Sequence, residues 1–214
     1  VKRPRKITAG LAVGAGVGVA ASVANAAAAP SGLLAGMVAE AGRPLLQVAS
    51  AAAVVADAGW VWAGAAVAAG WLVGTRAAGA AAGVLALVAA TAAYYGMDSL
   101  LYRVPLGALW RELRLGWAPM VFFGVVLGTV GSRIGRPGLA GLLAGLMVPV
   151  GAAVEAALLP RYPDGSDAGA ALEWVRLLIW AAAGLASYVV LVAAAVFRWR
   201  RKPGRPKLPP DSCI

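Results

Sequence analysis

Charge in this chain is confined to a few breaks, with Lys and Arg gathered at alternate ones and the acids at the others. Long runs of Ala, Val, Leu and Gly lie between the breaks. A chain shows this pattern when it threads a bilayer repeatedly and keeps its basic loops in the cytoplasm. Only 13% of the 214 residues are charged, against 61% hydrophobic; a soluble domain carries about a quarter charged residues. With a mean hydropathy of +0.79, there is too little polar surface to cover a water-soluble globule. The expected fold is therefore all-α, a polytopic transmembrane bundle forming a single membrane domain in the plasma membrane.

Six spans are expected, near residues 7–29, 59–75, 77–97, 117–131, 137–159 and 172–197. The first carries Gly10, Gly14 and Gly18 at four-residue spacing, which lines one helix face with small residues and lets another backbone approach. Its rival reading is a secretory signal, because Ala24-Asn25-Ala26 fits the cleavage pattern. The span is preferred, since that pattern is loose in Ala-rich sequence. Gly42-Arg43-Pro44 breaks the next stretch, and residues 45–56 are long enough only for a half-helix or an interfacial helix. Between the third and fourth spans, Leu106, Leu109, Trp110 and Leu113 recur at helical spacing while Arg111 and Arg114 face elsewhere, the mark of an amphipathic helix lying in the interface. Pro149, in the middle of the fifth span, is expected to kink it. Residues 160–167 form a turn-rich loop.

Six spans with both ends inside place residues 1–6, Arg76, Arg133, Arg136 and a basic tail at the cytoplasmic face. The tail, residues 198–214, is expected to be disordered and carries Arg198, Arg200, Arg201, Lys202, Arg205 and Lys207. Of the nine acids, only Asp211 then falls inside. A pI of 10.7 raises the question of nucleic acid, but the basic excess sits in tails and short loops, so the lipid bilayer is the expected partner and nucleic acid is not. Anionic lipid headgroups at the cytoplasmic face would attract the tail by about 1 kcal/mol per basic residue. Other membrane subunits are a further class of partner.

The chain has no histidine and one cysteine, Cys213. A Ser-His dyad, a His-ligated metal and a His phosphoryl carrier are therefore excluded. No catalytic residue, cofactor site or metal site is expected. Gly14-Ala15-Gly16-Val17-Gly18 lies inside a span, where it serves helix packing rather than nucleotide binding.

Site candidates are instead polar groups near the span ends. Asp57, Tyr94, Tyr95, Asp98 and Glu155 fall toward the outer face and are expected to form a polar pocket there. Glu155 follows the Pro149 kink, a setting that lines binding sites in transporters. Its simpler reading is an interfacial carboxylate paired with Arg103, Arg111 or Arg161, which is preferred because so few apolar residues separate it from Pro160. The corresponding simple reading of the whole set is an interfacial network with aromatic anchors.

The order of GWVWAGAAVAAGWLVG, ATAAYYGMDS and PMVFFGVVLGTVGSRIGRPGLAGLLAGLMVPVGAAVEAALLP resembles a family of small multi-span membrane proteins of actinobacteria whose function is uncharacterised. The resemblance covers about residues 45–197. It implies a Tyr pair closing one span, here Tyr94-Tyr95, and an acid late in a Gly/Ala/Leu-rich span, here Glu155; it implies no activity. Two functions are thus expected to compete: a non-enzymatic membrane protein acting in assembly or interaction, and a small-solute transporter or the membrane-embedded substrate-binding subunit of an uptake system.

Overall fold

A computed structural model describes residues 3–29, 33–159 and 167–200. All regular structure among them is helical: α1 (Arg3–Ala28), α2 (Leu33–Glu40), α3 (Arg43–Asp57), α4 (Gly59–Val73), α5 (Arg76–Tyr102), α6 (Leu106–Gly131), α7 (Leu139–Leu158) and α8 (Asp167–Arg200). Four stretches are long and apolar enough to cross a membrane: Ile7–Ala28, Arg76–Tyr102, Leu139–Leu158 and Leu172–Val196.

Six spans were expected, and the described residues give four, or five if α3 and α4 count together as one bent span. The shortfall is one of length. α4 has 15 residues, which at 1.5 Å per residue falls short of a hydrocarbon core of about 30 Å. It follows α3 across a bend of 56° at a one-residue break, so the expected second span is the second limb of a bent helix pair. Trp117–Gly131 is likewise a short apolar stretch. It is not preceded by a separate interfacial helix, because Leu106–Gly131 is one continuous helix of 26 residues. The side chains of residues 108–116, on which the amphipathic expectation falls, lie outside the described ones. Pro149 lies buried within α7, which continues on both sides of it; a separate change of direction, 56°, falls between α3 and α4.

The bundle is held by close backbone approach. α1 runs parallel to α5, with Gly14 against Ala86 and Gly18 against Ala90; a Cβ at Gly18 would overlap the Ala90 carbonyl. α6 runs antiparallel to α5, with Gly124 opposite Gly83 and Gly128 opposite Gly79. Ser22 is the largest fully buried side chain among the described residues. Without bulky core residues, dispersion contacts between near-touching backbones replace the hydrophobic drive that lipid does not supply. Two clusters are exceptions: Ala66, Val67, Leu87 and Leu127, joined by Trp62 and Val148, where α4, α5, α6 and α7 meet, and Ala152, Ala156, Val175 and Ile179, joined by Val55 and Trp60, between α7 and α8.

α7 and α8 form an antiparallel hairpin beside this body, Gly145 meeting Val190. The hairpin docks on α4 through both its charged ends. At one end Arg136, just before α7, donates from its guanidinium to the Gly74 carbonyl at 2.8 Å. At the other, Glu155 accepts from the N–H groups of Gly59 and Trp60 at 2.9 and 3.2 Å. A base meets the negative end of the α4 dipole and an acid its positive end. The same geometry sorts the bundle by charge. Arg76, Arg133 and Arg136 share one end with the start of α1 and the end of α8, whereas the acids Asp57, Asp98 and Glu155 share the other with Arg103 and Arg176.

Candidate functional site

The acidic end contains a layer of polar side chains that the chain assembles from five helices. Its centre is Asn25 of α1. The Asn25 amide donates to Asp57 Oδ1 at 2.8 Å and to the Tyr94 hydroxyl oxygen at 3.2 Å. Ser22, one turn earlier on α1, donates its hydroxyl hydrogen to Asp98 Oδ1, one turn later on α5, at 2.5 Å. Tyr94 and Asp98 are four residues apart on α5, and Ser22 and Asn25 three apart on α1, so each pair shares a helix face and the parallel helices zip together through both.

The break between α3 and α4 explains why Glu155 and Trp62 belong here. A helix beginning at Gly59 leaves N–H groups unsatisfied, and its N-cap, Ala58, has no side-chain acceptor. Glu155 reaches across from α7 to supply two. Of the last carbonyls of α3, that of Val55 accepts from the Ala58 N–H, and that of Ala56 accepts from the Trp62 indole N–H at 3.0 Å. Non-helical backbone at membrane depth survives only when its polar groups are met in this way. A parallel arrangement ends α7: Arg176, only 8% exposed, donates from its guanidinium to the carbonyls of Ala156 and Leu159 at 3.1 and 2.8 Å and pairs with Glu173 at 2.5 Å.

Trp62 stands edge-on to Tyr94 with ring centroids 6.0 Å apart, and Tyr94 edge-on to Tyr95 at 5.4 Å. These three rings and Asp57 form one end of a groove of about 770 Å³ between α4, α5, α6 and α7. Away from that end the lining is almost wholly apolar: Leu87, Phe122, Phe123, Val126, Leu127 and Met147. Thr91 gives its hydroxyl hydrogen to Met120 Sδ at 3.2 Å, which leaves the floor without an outward-facing donor. The groove opens sideways past Phe122 and Phe123, which are 64% and 53% exposed. A second cavity of about 590 Å³ continues along the α6–α7 seam toward Arg133 and shares Met147 with the first.

Of the five residues expected in a polar pocket, Asp57, Tyr94 and Tyr95 line this groove together. Asp98 and Glu155 do not line it. Asp98 is turned to Ser22 on α1, and Glu155 is held by the α4 N-terminus and touches the groove only through Gly59. Among the described residues Glu155 binds backbone rather than arginine; Arg161 and the Arg111 side chain lie outside them. The side chains of Arg198, Arg200, Arg201, Lys202, Arg205 and Lys207 also lie outside the described residues. Asn25, Ser22 and Trp62 were not singled out from sequence as site residues. A signal for the first two existed: a polar side chain inside an apolar span is costly unless partnered. Among the described residues, no three His, Cys, Asp or Glu side chains gather as metal ligands. Compared with known proteins, the chain matches no protein-family model, no curated protein and no solved structure, so its site is read from its own geometry.

Proposed function

We propose that this chain is a non-enzymatic integral protein of the plasma membrane that holds an amphipathic, lipid-like molecule in the groove between α4, α5, α6 and α7. The observation that carries this reading is the division of the groove: about 770 Å³ of apolar lining with polarity confined to the end at Asp57 and Tyr94. A volume of that order is typical of small-molecule sites. A lateral opening suits a ligand arriving through lipid, its chain among Phe122, Val126 and Met147 and its head at Asp57. In this reading the basic end of the bundle faces the cytoplasm. The tail from Arg198 to Lys207 then lies against anionic headgroups, and the polar end of the groove meets the outer leaflet.

Transport of a small solute is the second reading, favoured by the break at Ala58. Discontinuous helices in transporters aim a helix N-terminus at an anionic substrate group. Here that N-terminus is already occupied by Glu155, which weighs against an anionic solute and toward a ligand held by the groove itself.

A single-chain amphiphile with a photoactivatable group in its tail, used on the full chain in nanodiscs, tests the proposal. The expected result is label concentrated on peptides carrying Met120–Val126 and Met147. Label spread in proportion to exposure, with the open face of α8 at Leu178, Leu185 and Val189 marked as strongly, would overturn it.

A further inference from the structure

We infer that the head of the bound amphiphile is a cationic ammonium group, recognised at the end of the groove by the Asp57 carboxylate and the rings of Trp62, Tyr94 and Tyr95. This rests on the groove being an amphiphile site and names the chemistry of its polar end.

Two independent features of the lining carry it. First, three aromatic side chains converge on one short segment of wall and stand edge to face: Trp62 on α4, and Tyr94 and Tyr95 on α5. All three rings line the groove at its polar end, so aromatic surface meets a ligand's head there. Aromatic faces carry negative charge density and attract cations, with quaternary ammonium groups the best-suited ligands. Second, the formal charge lining this groove is a carboxylate. Asp57 is exposed, and the Asn25 contact occupies its Oδ1, so Oδ2 can face a ligand. Tyr94 accepts from Asn25 and keeps its own hydroxyl hydrogen. Arg103, the C-cap of α5, lies at the same end and does not line the groove. Asp98 and Glu155 add negative charge around the site. The nearest described cation of the α7–α8 hairpin, Arg176, is engaged with α7 carbonyls and Glu173. An anionic head would meet Asp57 with no cation among the residues lining the groove.

The photoactivatable probe, made with three heads on one tail, separates this from the groove reading. The heads are trimethylammonium, hydroxyl and carboxylate, and the protein is the full chain in neutral maltoside micelles. The ammonium probe is expected to label the Met120–Val126 peptide at a concentration about tenfold lower than the carboxylate probe. Asp57→Asn, whose side-chain oxygen still accepts from Asn25, should reduce the ammonium probe to the level of the hydroxyl probe. Tyr95→Leu should weaken the ammonium probe and leave the other two unchanged. Equal labelling of the groove by all three heads, unaltered by Asp57→Asn, would overturn the ammonium assignment and leave the groove reading standing. No preference for the groove with any head would overturn both.

Discussion

Asn25 and Asp57 are 32 residues apart in the chain and joined by a hydrogen bond of 2.8 Å. The second hydrogen of the same amide goes to Tyr94, so one side chain ties α1 to the end of α3 and to α5. Asn25→Leu removes both bonds and leaves Asp57 and Tyr94 without the donor. Single interhelical hydrogen bonds in membranes contribute about 0.6 kcal/mol, up to about 1.7, so a loss of about 1–3 kcal/mol is expected. Asn25→Gln, which keeps the amide, should lose less. Unfolding free energies of the two variants in mixed micelles check the order.

Glu155 serves as the cap that Ala58 cannot provide. Glu155→Ala orphans the N–H groups of Gly59 and Trp60 and is expected to cost about 1–3 kcal/mol. Glu155→Gln retains an acceptor oxygen and loses the charge opposite the helix dipole, an effect of about 0.3–1 kcal/mol. Thermal denaturation in detergent should therefore rank wild type above Glu155→Gln and Glu155→Ala last. Equal behaviour of Glu155→Ala and wild type would remove the cap from the account of the break.

Glycine spacing alone does not distinguish contact glycines from idle ones, and substitution should. Gly128→Ala places a methyl group on the Gly79 carbonyl, whereas Gly16→Ala meets nothing within 4 Å. The first is expected to destabilise by about 1–3 kcal/mol through overpacking. The second should be neutral or gain up to about 1 kcal/mol of helix propensity. Melting curves of the pair, measured under one condition, decide this.

Arg176 is the buried base of the acidic end. Arg176→Met keeps much of the apolar stem and leaves the carbonyls of Ala156 and Leu159 without their charged donor. Hydrogen bonds to charged groups contribute about 1.5–3 kcal/mol, and a loss in that range is expected. Because the damage falls at the end of α7, hydrogen exchange should rise first around Ala156 and Leu159.

Charge and apolar runs carried the class of fold, since burial in lipid is a property of each segment on its own. The stretch 45–56 was legible as a helix too short to span, a half-helix or an interfacial one, because its length is local too; α3 is one limb of a bent pair. The count of spans was not legible. Whether α4 stands alone depends on a bend at Ala58 that Glu155 and Trp62 stabilise from elsewhere in the bundle. The amphipathic segment and the following apolar run lie in one helix, α6, which continues through Gly116 and Pro119 at their junction, residues that by themselves favour a break. The site was partly legible: aromatic and acidic residues at a span end pointed to Asp57, Tyr94 and Tyr95. Asn25 was hidden in an Ala-rich run, where its role depends on α1 lying parallel to α5 rather than on its neighbours in sequence. The turning of Asp98 and Glu155 away from the groove likewise depends on partners, Ser22 and Gly59, that only packing brings near.

The side of the membrane on which the Asp57–Tyr94 end lies is measured most directly by thiol labelling at the two ends of α5. With Cys213 replaced by Ser, single cysteines at Thr75 and Tyr102, both exposed, are treated with a membrane-impermeant maleimide. Tyr102→Cys should react in intact cells, and Thr75→Cys only after permeabilisation. Reaction of Thr75→Cys from outside, or of both positions from the same side, would contradict a bundle that holds its groove open to the outer leaflet and its basic ends in the cytoplasm.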